Sequence, residues 1–310
     1  MSDKKPNLRF SVVIPAFNES AYLGRALESL KLQTYPQDAF EVIVVDNNST
    51  DDTALLASRL GAKVVSEKKV GVCSARQAGT KVARGEIIIS TDADTTFPKN
   101  WLESFDKAYQ KHPKALAVSG SLRFHRPPIW GFYIYILFGL VGLYQRLTRR
   151  VWYVSACNLS FKKTAWEAAG EYNTSLTQAG DELDLLRRLK KQGRIVFKNK
   201  IRVVTSSRRL REGFLYNFIV SLLIFYLGDY YLSRLTGRSI LGSVPSIREN
   251  EHWQTLKSYK RQAVMVVTFL LAVFVFFAIQ PDLIHEIRHR HLPNINKSIR
   301  QTTEKWLDYF

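Results

Sequence analysis

Residues 10–15 (FSVVIP) form a short apolar run closed by a proline, the pattern of a strand buried on both faces. Residues 19–33 then carry Leu23, Leu27 and Leu30 at helical spacing. Residues 40–45 (FEVIVV) predict a second strand. The Asp/Asn/Ser/Thr-rich stretch 46–53 predicts a turn able to cap a helix over 52–60. A short strand over 62–65, a helix over 70–84 and a strand over 86–90 (EIIIS) follow, and the last runs into Thr91-Asp92-Ala93-Asp94. Strict alternation of strand and helix predicts an α/β fold with a doubly wound, mostly parallel sheet. Ligands of such sheets sit at the carboxyl ends of the strands, where Asn18, Glu19, Asp46, Asp92 and Asp94 fall.

Beyond this point the pattern changes. Helices are predicted over 101–112, 164–169 and 181–192, and strands over 115–124, 151–161 and 194–205. Residues 129–143 are uncharged and aromatic, with Trp130, Phe132, Tyr133, Tyr135 and Phe138 placed like side chains at a membrane interface; residues 213–228 are also uncharged and apolar. Core helices are the alternative for both. Residues 263–279 hold a single polar side chain, Thr268. At the helical rise they reach roughly 26 Å, the short limit of a membrane span, with a buried core helix as the alternative. Lys257, Lys260 and Arg261 precede this segment and Arg288 and Arg290 follow it, so flanking charge does not orient it.

Charge narrows the partners. The formal net charge is +18, which favours anionic ligands or an acidic membrane face. Eleven Lys or Arg and no acid lie between Arg187 and Arg211. That run adjoins apolar segments and its strands are poor in aromatics, which argues against nucleic acid as a partner. The two cysteines, Cys73 and Cys157, form no CxxC pair and suggest neither a thiol-redox nor a zinc motif. Residues 1–9 are polar, unlike the apolar core of a secretory signal.

Asp92-Ala93-Asp94 is the strongest local signal. Two carboxylates at the end of a strand repel unless a cation lies between them, and carboxylate oxygens suit Mg²⁺ or Mn²⁺. Such a metal bridges a diphosphate and neutralises it as a leaving group. The first turn, Pro15-Ala16-Phe17-Asn18-Glu19, lacks the glycines of a GxGxxG dinucleotide loop. Asp46 ends the second strand, placed either to accept bonds from a base or ribose or to cap the next helix. Arg76, on the third helix, suits a phosphate or the aspartate pair, with a surface salt bridge as the alternative. Asp181-Glu182-Leu183-Asp184 opens a helix and supplies either a general base or acids matched to the helix dipole. Arg208 and Arg209 follow a strand, suited to a diphosphate, a lipid phosphate or an acidic membrane surface.

Taken together, FSVVIPAFNES, VIVVDNNSTDDT, GVCSARQAGTKVARGEIIISTDAD and GDELDLLRRLKKQG resemble family 2 glycosyltransferases over residues 9–195, in particular the inverting, membrane-associated bacterial type. The resemblance implies a GT-A-type, Rossmann-like fold with C-terminal membrane-associated helices. The implied division is a catalytic domain over 1–210, an interfacial helical region over 211–262, a transmembrane helix over 263–280 and a basic tail over 281–310. It implies that Pro15, Ala16, Asn18 and Glu19 line the nucleotide pocket, that Asp46 contacts the base and that Arg76 helps hold the nucleotide. Asp92 would touch the ribose or sugar and Asp94 would ligate the metal, with Asp92 at its side. Residues 156–161, Asn158 among them, would line the acceptor side, joined there by Arg208 and Arg209. The family's base lies in an EDxD-like motif; here the order is reversed, so Glu182 and Asp181 both compete for the role.

The expected activity is metal-dependent sugar transfer from a nucleotide-sugar donor to a hydroxyl of a lipid-linked glycan or glycolipid. The donor pool places the catalytic domain on the cytoplasmic face of the cell membrane. A polyprenyl-phosphate acceptor, already ionised and needing no base, is the alternative. A membrane-anchored scaffold that binds nucleotide without turnover is the alternative of another class. The sequence leaves the sugar, the base and the oligomeric state open.

Overall fold

The computed structural model describes residues 8–176 and 180–213, with single positions at 224, 228, 232 and 241. These belong to a compact unit spanning Met1–Glu251; a second unit, His252–Phe310, lies outside the described residues. So do the apolar segment expected at 263–280 and the tail after it, and nearly all of the 213–228 segment. Among the described residues no helix is long and apolar enough to cross a membrane.

The alternation read from the sequence is present. It runs β1 (Phe10–Ala16), α1 (Ser20–Lys31), β2 (Phe40–Asp46), α2 (Thr53–Arg59), β3 (Lys63–Ser66), α3 (Val72–Val82) and β4 (Ile87–Ser90). Then come β5 (Thr95–Thr96), α4 (Trp101–Lys111), β6 (Ala115–Phe124), α5 (Tyr133–Thr148), β7 (Leu159–Lys162), α6 (Lys163–Ala168), α7 (Leu185–Gln192) and β8 (Arg194–Thr205). Consecutive residues of β1 and β4 are buried, so both faces of the sheet's centre are covered. Gly79 lets α3 lie directly on β1 and β2; a Cβ there would stand 2.5 Å from Val13 Cγ1 and 2.8 Å from Val45 Cγ2.

The sheet is mixed: six strands run one way, and β7 and β5 run against them. Its eight strands run β3-β2-β1-β4-β7-β6-β8-β5. β3, β2, β1 and β4 are parallel, whereas β7 is antiparallel to both β4 and β6. β8 then pairs parallel with β6. Two reversals restore the original direction, so β8 runs the same way as β1 and its C-terminal end meets the same edge. β5 folds back antiparallel on that end, pairing Thr95 with Thr205.

Three local expectations change. The strand expected over 151–161 is a loop and a short turn, Ala156–Asn158, that enters β7 only at Leu159. The helix expected at 181 begins as a π-helical turn, Gly180–Asp184, before α7. Residues 129–143 become a turn, Ile129–Phe132, followed by α5, whose Ile134, Phe138 and Val141 are buried. Phe138 stacks on Phe197 of β8 at 5.7 Å, and Gln145 Nε2 donates to the Phe197 carbonyl at 3.0 Å.

Candidate active site

Four loops meet at the carboxyl edge, those after β1, β2, β4 and β8. After β1, Asn18 adopts the left-handed region (φ 52°), which asparagine tolerates better than most residues. Its Oδ1 accepts from Thr50 N at 2.7 Å and its backbone N–H donates to Ser49 Oγ at 3.0 Å, tying the first loop to the second. Half-buried Pro15 and buried Ala16 complete the end of β1, and the Ala16 carbonyl accepts from Asn47 N at 2.9 Å. Asp46 Oδ1 accepts from Ser49 N at 3.2 Å, a turn closure rather than a helix cap. Asn47, which the sequence did not single out, donates to the Glu67 and Lys69 carbonyls (2.8 and 2.9 Å) and accepts from Gly71 N (2.8 Å). It ties the loop before α3 to the end of β2.

The charged centre has two halves. In one, buried Arg76 places Nη2 2.5 Å from Asp92 Oδ1; burial opposes its charge, and the carboxylates of Asp92 and Glu182 favour it. Arg76 is thus an interior partner of the aspartate motif, not a surface salt bridge. In the other, Arg208 donates to both oxygens of Glu19, at 2.8 and 2.6 Å, and lies 3.2 Å from Asp94 Oδ2. Its guanidinium stacks over the Tyr22 ring at 4.7 Å. Arg208, expected on the acceptor side, therefore sits against the carboxylate expected to bind metal. The physical reason is β8, whose end the two strand reversals bring beside β5 and Asp94. Thr205 Oγ1 also donates to Asp94 Oδ1 at 3.1 Å. Arg209 is exposed, yet its charge still reaches Asp94.

Burial is the largest influence on Asp94 and pushes its pKa up; Arg208 pulls the other way and Asp92 adds to the rise. Glu19 is likewise raised by burial, against Arg208, with Asp94 and Asp92 adding to it. Burial opposes the charge of Arg208, but its bonds to Glu19 and the nearby charge of Asp94 outweigh this and raise its pKa. Three carboxylates thus share one edge with two guanidinium groups, and two of the three hold their charge under strain. Among the described residues no group of three His, Cys, Asp or Glu side chains forms a complete metal cage.

Glu182 is buried, and its charge acts on Arg76. Its Oε2 accepts from Ala156 N at 3.1 Å, which fixes the carboxylate beside the 156–158 turn. Burial, followed by the Glu182 charge, holds the Tyr153 phenol well above its ordinary range. The Cys157 thiol is also pushed up, first by burial and then by Asp92, so both carboxylates act on this small region. The Asp181 side chain lies outside what the structure describes. Asp184 pairs with Arg187 and Arg188 of α7, at 3.1 and 2.8 Å.

Asn158 is the clearest departure from expectation. Fully buried, it donates to the Ser121 and Ile201 carbonyls at 2.7 and 2.9 Å and accepts from Trp101 Nε1 at 3.0 Å. Its amide joins β6, β8 and α4. Gly120 makes room for it, since a Cβ there would stand 2.2 Å from Asn158 Nδ2.

Residues 11–161 match the profile of Glycosyl transferase family 2. The chain carries a family 2 glycosyltransferase domain. Over 121 residues, 36% of this chain, it is 30% identical to a dolichyl N-acetyl-α-D-glucosaminyl phosphate 3-β-D-2,3-diacetamido-2,3-dideoxy-β-D-glucuronosyltransferase of Methanococcus voltae. The match covers 38% of that protein, and the chain spans about two fifths or less of the curated relatives it matches. Among solved structures, Staphylococcus aureus TarS 1-349 in complex with UDP-GlcNAc superposes with a TM-score of 0.58 at 21% identity. That superposition covers 88% of this chain and 76% of the other. The mannosyltransferase PcManGT of Pyrobaculum calidifontis, in complex with GDP-Man and Mn²⁺, gives 0.53 at 25% identity over 64% and 56% of the two chains. The mixed sheet of the transferase domain is therefore the GT-A fold.

Proposed function

We propose that this chain transfers a sugar, with inversion and with a divalent metal, from a nucleotide-sugar donor to a hydroxyl of a membrane-associated acceptor, a lipid-linked glycan or glycolipid. The observation that carries the reading is the cluster of Glu19, Asp92 and Asp94 with Arg76 and Arg208 at one sheet edge. A transferase that expels a nucleoside diphosphate needs cationic groups around the leaving oxygens and carboxylates for the metal that shields them.

The residues present fit Mg²⁺ or Mn²⁺. The donor set is carboxylate oxygen, and burial gives Asp94 a raised pKa that a cation would reverse. Mg²⁺ commonly takes only one or two carboxylates and completes its shell with phosphate oxygens and water. Asp94, with Asp92 beside it, supplies that share. When bound, the metal neutralises the diphosphate as it leaves. The chain's own groups do the rest. The loops after β1 and β2, with Asp46 at their base, form the wall for base and ribose. Arg76 fixes Asp92, and Arg208 supplies a second positive charge to the same edge. Glu182 takes the proton of the acceptor hydroxyl as that oxygen attacks the anomeric carbon opposite the leaving diphosphate. Asp181 remains its competitor for that role.

The Methanococcus voltae relative, named for a dolichyl-linked acceptor, supports a lipid-linked substrate here as well. Nucleotide sugars are made in the cytosol, so the catalytic domain would face the cytoplasm. A second reading, transfer onto a polyprenyl phosphate, draws on exposed Arg209 beside Arg208, which suits a phosphate acceptor.

The test is turnover. The full chain is assayed over a panel of nucleotide sugars with Mn²⁺, with Mg²⁺ and with chelator. One donor is expected to be consumed only with metal, and Asp94→Ala to abolish its consumption. Donor binding without consumption of any donor, across a range of lipid acceptors, would leave the scaffold reading in its place.

A further inference from the structure

We infer that the outward face of α5 lies on an anionic bilayer surface and brings the carboxyl edge of the sheet to the membrane. This deepens the proposed function, on which its meaning for the acceptor rests. α5 is apolar on two opposite faces. Ile134, Phe138, Val141 and Gln145 point to β6 and β8. Phe132, Ile136, Leu140, Leu143 and Leu147 form the opposite stripe, at helical spacing, and all are exposed, Leu147 at 76%. A surface helix of a water-soluble face would carry charge there; this one carries none until Arg146.

Two observations choose a lipid surface as the occupant. Tyr135 and Tyr144 flank the stripe, and exposed Trp152 follows it, the aromatic types that favour the headgroup level. Charge supplies the second. No Asp or Glu occurs between Asp106 and Glu167, while Arg123, Arg126, Arg146, Arg149 and Arg150 are all exposed around the two ends of α5. Arginines without acids around an apolar stripe complement anionic headgroups. A second protein surface would more often meet mixed charge.

The placement has a consequence for catalysis. The N-terminal end of α5 lies at the reaction edge. Phe124, the last residue of β6, faces Tyr133 at 6.4 Å, and a Cβ on Gly131 would stand 3.0 Å from Leu210, two residues past Arg208. α5 then runs back along β8 to Phe197. A bilayer under α5 therefore lies beside Arg208 and Asp94, where a lipid-linked acceptor would deliver its hydroxyl.

Cys73 and Cys157 are buried, so a thiol added at an exposed site labels selectively. Leu140→Cys, Leu147→Cys and, as a control on α2 at the opposite end of the sheet, Leu55→Cys are each labelled with bimane in the full chain. The chains are reconstituted into vesicles containing phosphatidylglycerol. Brominated lipid is expected to quench positions 140 and 147 but not 55, and iodide the reverse. Quenching by bromine at 140 and 147 is expected to fall when phosphatidylcholine replaces phosphatidylglycerol. Iodide access at 140 and 147 equal to that at 55 overturns the inference. So does shielding from both quenchers, which would mean that protein covers the stripe, and so does quenching indifferent to lipid charge. None of these readouts depends on sugar transfer, so failure here leaves the proposed activity standing.

Discussion

Glu182→Gln is expected to lower transfer to a hydroxyl acceptor by about 10²–10⁴-fold, the range for loss of a positioned general base. The amide keeps the shape of the carboxylate and can still accept from Ala156 N–H, so the fold around the 156–158 turn should hold. Donor binding should also hold, because Asp92, Asp94, Arg76 and Arg208 are all unchanged in the variant. The loss should fall on kcat. Asp181→Asn in the same assay decides between the two acids, since only the base should show the large effect. The choice of acceptor is read from the same pair. A phosphate acceptor arrives ionised, and with it Glu182→Gln would leave the rate nearly unchanged.

Asp94→Asn is expected to remove metal-dependent turnover, by 10²-fold or more if the metal contributes the several kcal/mol usual for such sites. The same change should make the metal-free chain more stable at neutral pH. Burial raises the Asp94 pKa above its ordinary value of 3.8. A raised carboxylate pKa means that the folded state binds the proton more tightly than the unfolded state does. That favourable contribution is complete below the unfolded pKa and is lost as pH rises through the folded one. At neutral pH the parent holds an unfavourable buried charge that asparagine lacks. Arg208 keeps its paired bonds to Glu19 in the variant, so no cation is stranded. Denaturation midpoints measured without metal should therefore be higher for Asp94→Asn at pH 7, and the difference should close below about pH 4. A variant less stable than the parent at pH 7 would mean that the Asp94–Arg208 attraction outweighs the burial of the aspartate charge.

Much of this architecture was legible because its first half depends on local pattern. Runs such as FSVVIP and FEVIVV hold one polar side chain each, Ser11 and Glu41, among apolar ones, too few for a half-exposed face, so they identify buried strands, and the helices between them show ordinary periodicity. The same reading placed Asp92 and Asp94 at the ligand edge. The second half depends on pairings far apart in sequence. β7 inserts antiparallel between β4 and β6, and nothing within residues 159–162 announces that. The position of β8 follows from it, and with it the meeting of Arg208, Glu19 and Asp94. Tyr22 had a partial signal, lying three residues after Glu19 on the first turn of α1, but its cation partner comes from 186 residues further along. Asn158 misled for a different reason. The family resemblance set it on the acceptor side, yet the bulge between Gly120 and Ser121 leaves two carbonyls that its amide must satisfy.

The central claim is that the edge formed by Asp92, Asp94, Arg76 and Arg208 binds the diphosphate of a nucleotide sugar through a metal. Calorimetric titration of the full chain with UDP, GDP, ADP, CDP and dTDP, each with Mn²⁺ and with chelator, tests it most directly. The expected result is binding of one nucleoside diphosphate that requires Mn²⁺ and disappears in Asp94→Ala, while the variant remains folded. Absence of binding by all five with metal present, or binding indifferent to both chelator and Asp94→Ala, would contradict it.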